Sequence, residues 1–158
     1  MKTATLHREQ IIRRPRAEVF AFFADASNLE RLTPPFLRFR IVTPSPLTLR
    51  EGTLIDYRLS LFGVPFSWRT RIELVVPDVR FVDLQLRGPY KLWRHLHEFE
   101  DVEGGAATRM TDHVEYAAPL GILGEAARAL FVRRTVDRIF DYRAETIDSL
   151  LMSAQAAA

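Results

Sequence analysis

Cysteine is absent from the 158 residues, which excludes disulfides, thiolate metal sites and a cysteine nucleophile. That lack is compatible with a reducing compartment. Lysine is scarce too: apart from Lys2 and Lys91 the basic residues are arginines, interleaved with aspartate and glutamate, and the formal net charge is only +2. No basic block occurs, whereas nucleic-acid binding normally leaves a clustered electrostatic footprint, so no nucleic-acid partner is expected. No run approaches the ~20 apolar residues of a spanning helix. The stretch from Met1 to Arg8 holds no apolar signal-peptide core. The expectation is a cytoplasmic protein with no membrane span. Internal repeats and low-complexity linkers are also missing. The length suits one domain over residues 1–153, with Ala154 to Ala158 as a frayed tail.

What the chain does have is alternation. Hydrophobic residues make up 47% of it, enough for a sizeable core. The organising stretch runs from Gly88 to Tyr116. Trp93, His95, His97 and Phe99 share one parity, and Thr108, Met110, Asp112, Val114 and Tyr116 share another. In a strand, like parity means one face of the sheet. Glu103-Gly104-Gly105 between them supplies a hairpin turn. Two long antiparallel strands with aromatics, imidazoles and a carboxylate on one face suit the wall of a ligand cavity.

Upstream, residues 3–14 form a first strand that ends at Pro15. Arg16 to Ala24 reads as a short helix with Val19, Phe22 and Phe23 as its apolar stripe. Ser27-Asn28-Leu29-Glu30 has the form of a capping box and starts a second short helix, which stops before Pro34-Pro35. Strands are expected over Phe36–Thr43, Thr53–Phe62, Phe66–Leu74 and Phe81–Arg87, with turns at Gly63-Val64-Pro65 and Pro77-Asp78. After the breaker segment Pro119–Gly124 the period becomes helical, with Val132, Val136, Ile139, Phe140, Ile147, Leu150 and Leu151 recurring at threes and fours to about Met152. Amphipathic strands must cover their apolar face, and only this C-terminal helix, roughly 40 Å long at 1.5 Å per residue, can do so. The fold class is therefore α+β: a curved antiparallel sheet of about seven strands gripping a long C-terminal helix, with two short helices after the first strand.

Four stretches carry a family likeness: P-R-A-E-V-F-A-F-F-A-D-A-S-N-L-E-R-L-T-P-P, G-V-P-F-S-W-R-T-R-I, F-V-D-L-Q-L-R-G-P-Y-K-L-W-R-H-L-H-E-F and T-R-M-T-D-H-V-E-Y-A-A-P-L-G-I-L-G. They lie between residues 15 and 124. On them the chain resembles the SRPBCC superfamily. These START-like, helix-grip domains include the major birch pollen allergen, polyketide cyclases and coenzyme Q-binding proteins. It looks closest to the bacterial single-domain ligand-binding, or cyclase/dehydrase, group. The likeness implies that Phe81, Asp83 and Gln85 face the cavity near His95 and His97. Val82, Leu84 and Leu86 would then form an outer apolar patch, the expected contact of a homodimer.

The candidate lining is Tyr57, Trp68, Thr70, Ile72, Gln85, Trp93, His95, His97, Phe99, Met110, Asp112, Val114 and Tyr116 from strands, with Val136, Ile139 and Phe140 from the helix. The bland alternative for each is ordinary core. His95, His97, Asp112 and Asp83 are the catalytic candidates, a carboxylate orienting an imidazole for acid–base work. The competing account is a structural network in which buried polar groups satisfy one another. Histidines at 95 and 97 can chelate with Asp83 or Asp112, but without cysteine or a signature spacing no metal site is assigned, and no cofactor is expected. His7 and His113 read as surface residues, and Leu120, Ile122 and Leu123 as an apolar gate. The favoured function is binding of a small hydrophobic molecule: a lipid, isoprenoid or polyketide. The alternatives are a cyclase, aromatase or dehydratase using the His/Asp cluster, and an interaction domain whose cavity is filled by side chains.

Overall fold

The computed structural model describes residues 3–61, 63–117 and 125–156, with side chains in the last stretch from 132 to 152. The expected gate at 120–123 lies outside the described residues. In chain order the elements are β1 (Ala4–Ile12), α1 (Arg16–Ala24), α2 (Ser27–Arg31), β2 (Arg40–Ile41), β3 (Leu54–Leu61), β4 (Val64–Val76), β5 (Arg80–Arg87), β6 (Leu92–Val102), β7 (Ala107–Ala117) and α3 (Glu125–Ala156). The strands make one sheet in the order β1-β7-β6-β5-β4-β3-β2. Every neighbouring pair is antiparallel.

The turns explain the meander. Glu103, Gly104 and Gly105 all take positive φ (51°, 67° and 89°), reversing the chain so that Val102 pairs with Ala107. Two of the three are glycines, which adopt that conformation at no steric cost. At Gly88 the need is different: the Gln85 side chain folds across it, and a Cβ there would collide with the Gln85 amide.

Several local expectations are corrected. Ser27 and Glu30 form no capping box. The Ser27 amide and hydroxyl both donate to Asp25 Oδ1, at 2.9 and 2.7 Å. Glu30 instead accepts the Ile41 amide at 2.7 Å, tying α2 to β2. The strand expected over Phe36–Thr43 shrinks to Arg40–Ile41, because Pro35–Leu37 is a 3₁₀ turn and Arg38 turns left-handed at φ 46°. Val64 and Pro65 belong to β4, facing Leu61 and Ser60, rather than to a turn. The C-terminal helix continues through Ala156, as alanine and glutamine favour.

The outer patch is also reduced. Val82 is only 2% exposed, because Leu74 and Leu96 flank it on the neighbouring strands. Leu84 is half-buried, and of the three only Leu86 is exposed. A register shift between Ile72 and Leu74 brings Leu74 opposite Val82, the parity change a β-bulge produces.

One face of the sheet holds α3 through a stripe at Val136, Phe140, Ile147 and Leu151, all buried. Three apolar clusters result. One joins α1 to the distal half of α3 through Val19, Phe20, Phe99, Met110 and Ile147. A second joins Trp93, Val114 and Tyr116 to Val136 and Phe140. The third gathers Ala26, Ile55, Tyr57 and Ile72 under α2. Hydrogen bonds from β1 hold the helix laterally: Arg8 to Asp137 at 2.9 Å and Gln10 to the carbonyl of Ala144 at 3.0 Å.

Ile147, fully buried in the first cluster, tests this packing. Ile147→Ala is expected to destabilise by about 2–5 kcal/mol, read from urea unfolding. A loss below about 0.5 kcal/mol would mean that α3 is not gripped there.

Candidate functional site

A cavity of about 170 Å³ lies where the three clusters meet. Its apolar wall is built by alternate residues of two paired strands, Ile55, Tyr57 and Leu59 of β3 and Trp68, Thr70 and Ile72 of β4. Leu29 of α2 and Leu32 just past its end close it on one side, and Ile139 and Phe140 close it from α3. At one end Trp68 packs edge to face with Tyr90 and Trp93, centroids 5.7 and 5.5 Å apart, and Tyr90 lies tilted against Trp93 at 4.8 Å. The Trp68 indole N–H donates to Thr70 Oγ1 at 3.0 Å, so this wall spends its polar groups on itself.

The opposite wall is charged. Asp83, His95, His97 and Arg143 reach the cavity, and Asp112 stands behind the histidines. The sheet register makes the cluster: Asp83 faces His95 across β5–β6, and His97 faces Asp112 across β6–β7. The short hydrogen bonds run to the diagonal partners. His95 Nε2 lies 2.8 Å from Asp112 Oδ1, and His97 Nε2 lies 2.9 Å from Asp83 Oδ2. The two imidazoles lie against each other with centroids 3.6 Å apart, and Phe81 stacks on the far side of His97 at 4.1 Å.

Arg143 completes the group from α3. One of its terminal nitrogens is 3.8 Å from Asp112 Oδ1, and its guanidinium lies 4.7 Å over the Phe23 ring. Two atoms of the cluster are buried without a hydrogen-bond partner, Arg143 Nε and His97 Nδ1. The latter is 3.3 Å from Asp112 Oδ1 but off the line of a hydrogen bond.

The charges settle each other in a definite direction. Burial works to raise the Asp112 carboxyl, but the Arg143 charge, the His95 hydrogen bond and the adjacent His97 imidazole hold it well below the usual range. Asp83 is opposed by burial in the same way and lowered by the His97 hydrogen bond and by the charges of His95, His97 and Arg143. Burial, with the neighbouring His97, pushes His95 down to about 4. His95 is thus a neutral ring at pH 7 whose Nε2–H donates to the Asp112 carboxylate, leaving Nδ1 as an acceptor. Burial raises the Tyr57 and Tyr90 phenols, which stay protonated donors.

Of the residues singled out in the sequence, Tyr57, Trp68, Thr70, Ile72, Asp83, Trp93, His95, His97, Ile139 and Phe140 line the cavity. Phe99, Met110, Val114, Tyr116 and Val136 are buried in the neighbouring clusters instead. Gln85 turns away from the histidines and clamps the β5–β6 turn, donating to the Tyr90 carbonyl at 2.7 Å. Sequence reasoning missed Arg143, Tyr90 and the contribution of α2. Arg143 had a signal: it occupies the stripe position between Phe140 and Ile147, where an apolar residue belongs. His7 and His113 are exposed and face each other across β1–β7, their Nδ1 atoms 3.2 Å apart.

A seven-stranded antiparallel sheet gripping one long helix over a cavity is the architecture of helix-grip, START-like proteins of the SRPBCC type. The chain belongs to the polyketide cyclase / dehydrase and lipid transport family, whose model matches residues 12–140. No curated protein sequence matches it. Among solved structures it is similar to the aromatase/cyclase Zhui from Streptomyces sp. R1128, with a TM-score of 0.77 at 13% identity, covering 96% of this chain and 94% of that one. Protein TTHA0849 from Thermus thermophilus gives 0.74 at 17% identity, covering 96% and 99%. A START superfamily protein from Mycobacterium smegmatis gives 0.68 at 9% identity, covering 95% and 98%. These likenesses concern the fold. Among the described residues, no helix is long and apolar enough to cross a membrane.

The neutral state of His95 has a pH consequence. The unfolded chain takes up its proton near pH 6.5, the folded chain only near 4. The contribution of His95 to stability is therefore complete above about pH 6.5 and is lost as pH falls towards 4, by roughly 3 kcal/mol. The carboxylates add a further loss below their ordinary range. Urea midpoints measured from pH 7.5 to 4 should fall accordingly, and the fall between 6.5 and 4 should flatten in His95→Gln. An equal slope in both proteins would contradict the buried neutral ring.

Proposed function

We propose that the chain binds a small, mainly apolar cyclic molecule in the cavity, with one polar group of that molecule directed at Asp83, His95 and His97. The observation that carries this reading is the division of the cavity into an apolar wall and a single charged wall, the arrangement by which ligand sites fix orientation. Size narrows the class. A cavity of about 150 Å³ lined by apolar side chains holds benzene, and this one measures about 170 Å³. One or two fused rings match that space better than an extended lipid chain. A polyketide-derived or other phenolic compound supplies both the rings and the polar group.

A catalytic reading is favoured by one specific feature. The His95 Nδ1 acceptor and the His97–Asp83 pair border the cavity, where a ligand hydroxyl or acidic C–H can reach them. On that reading His95 takes a proton from an acidic C–H and the Asp112 carboxylate stabilises the imidazolium through Nε2–H; the imidazolium then returns the proton to a departing hydroxyl, lost as water in a dehydration, or to the alkoxide left when a new C–C bond closes a ring on a carbonyl. The two readings share one pocket and differ in turnover.

Trp68 and Trp93, the chain's two tryptophans, both line the cavity and report on occupancy. Titration with phenol, 2-naphthol and palmitate should change their emission with the two phenols and not with the fatty acid. Leu29→Trp, which fills the cavity from α2, should weaken phenol binding at least 10-fold without lowering the melting temperature. Tight palmitate binding without phenol binding would replace the proposed ligand class by a lipid. No response to any of the three, and no passenger in native mass spectra of freshly purified protein, would favour the interaction domain.

A further inference from the structure

We propose that Asp83, His95 and His97 form a binding site for one divalent first-row transition ion in the cavity wall, with Asp112 as the carboxylate that orients both histidines. One ligand atom from each of the three residues lies within 4.8 Å of the others. His95 Nδ1 and His97 Nε2 are 3.7 and 2.9 Å from Asp83 Oδ2. Donors held ~2.1 Å from a metal are about 3.0 Å apart at a right angle and about 3.4 Å apart at the tetrahedral angle. The two spacings to Asp83 bracket these values, and the three donor atoms together lie close enough for small side-chain rotations to bring them around one ion.

The remaining nitrogens make the stronger argument. A metal-bound histidine almost always donates its other ring N–H to a carboxylate or carbonyl, which fixes the tautomer and aims the lone pair. Here both histidines turn their far nitrogens to one oxygen: Asp112 Oδ1 lies 2.8 Å from His95 Nε2 and 3.3 Å from His97 Nδ1. Each ring is therefore presented edge-on between two carboxylates, Asp112 behind and Asp83 on the cavity side. His97 Nδ1 is buried and has no hydrogen bond. With its proton placed there, towards Asp112, the Nε2 lone pair is freed for a metal.

Charge points the same way. The buried cluster sets two carboxylates, Asp83 and Asp112, against one guanidinium, that of Arg143. Arg143 stands on the Asp112 side, 3.8 Å from Oδ1, and reaches Asp83 only as a more distant charge. A dication at Asp83 would stand between that carboxylate and an anionic oxygen of a cavity ligand or water. Two imidazoles with one carboxylate suit zinc, iron(II), cobalt(II) or nickel(II) better than calcium or magnesium.

The experiment uses the full chain stripped with a chelator and titrated with CoCl2, then ZnCl2. One Co2+ per chain should bind with visible d–d absorption and be displaced by Zn2+. Asp83→Asn should abolish the absorption, and Asp112→Asn should weaken binding about 10–100-fold. His7→Ala, which dismantles the exposed His7–His113 pair, should change nothing. A wild-type measurement covers variants that fail to fold: 15N shifts of the imidazoles on adding Zn2+ should move at His95 Nδ1 and His97 Nε2, while the other ring nitrogens stay protonated. The proposal is overturned if those nitrogens do not move, if Co2+ adds no visible bands, or if binding survives Asp83→Asn and disappears with His7→Ala. The last two results would leave the cluster without a metal, or place the metal on the surface.

Discussion

A single helix cannot cover a seven-stranded sheet that stays flat. Seven strands at the usual spacing span roughly 29 Å, against about 10 Å for a helix with its side chains. The apolar face must nevertheless leave water, at about 25 cal/mol per Å². The solution here is a sheet whose apolar face holds α3, with α1 and α2 closing one end. Val136, Phe140, Ile147 and Leu151 meet the sheet along one stripe. The volume that one helix and two short ones do not fill becomes the cavity. Function in such a fold is a residue of geometry, and the lining side chains decide what that space accepts.

The charged wall must be stable before it can act. Removing one partner from a buried ion pair typically costs several kcal/mol, because the other charge is left without compensation. Asp112 takes its compensation from His95, His97 and Arg143 together, each from outside its own strand. The cluster therefore welds β5, β6, β7 and α3 at one point. A structural weld and a binding site are not alternatives here: the same register that satisfies Asp112 on one side leaves Asp83 bordering the cavity on the other.

The order of elements along the chain, hairpin chemistry and the long helix were legible because they rest on local signals. Period two from Leu92 to Tyr116, three positive-φ residues at 103–105 and a 3.6-residue stripe in α3 each act within a short window. His95 and His97 were legible as a like-parity pair, and Asp112 as their cross-strand neighbour. What escaped depends on competition between distant groups. Glu30 had two acceptable partners, its own helix start and the Ile41 amide, and tertiary position decided for the second. Gln85 had the parity of a cavity residue, yet the missing Cβ of Gly88 lets it fold over the turn. Val82 seemed surface-bound until a bulge in β4 brought Leu74 beside it. Arg143 looked like one more solvated arginine among many, and only the packing of α3 shows that its place in the stripe is a core position.

The sheet order also imposes a schedule on synthesis. Among the described residues β1 pairs with β7 alone, Ala4 opposite Tyr116. Of the seven strands, the earliest in the chain is thus among the last to find its partner. Until then its hydrogen-bonding groups are open, and the β3–β6 meander can assemble without it. Closing so long a loop raises the contact order and slows folding relative to a chain of local hairpins. The alternation of His7, Arg8, Glu9 and Gln10 between Leu6 and Ile11 suits that wait, because charged and polar side chains discourage a lone strand from pairing with a neighbouring chain.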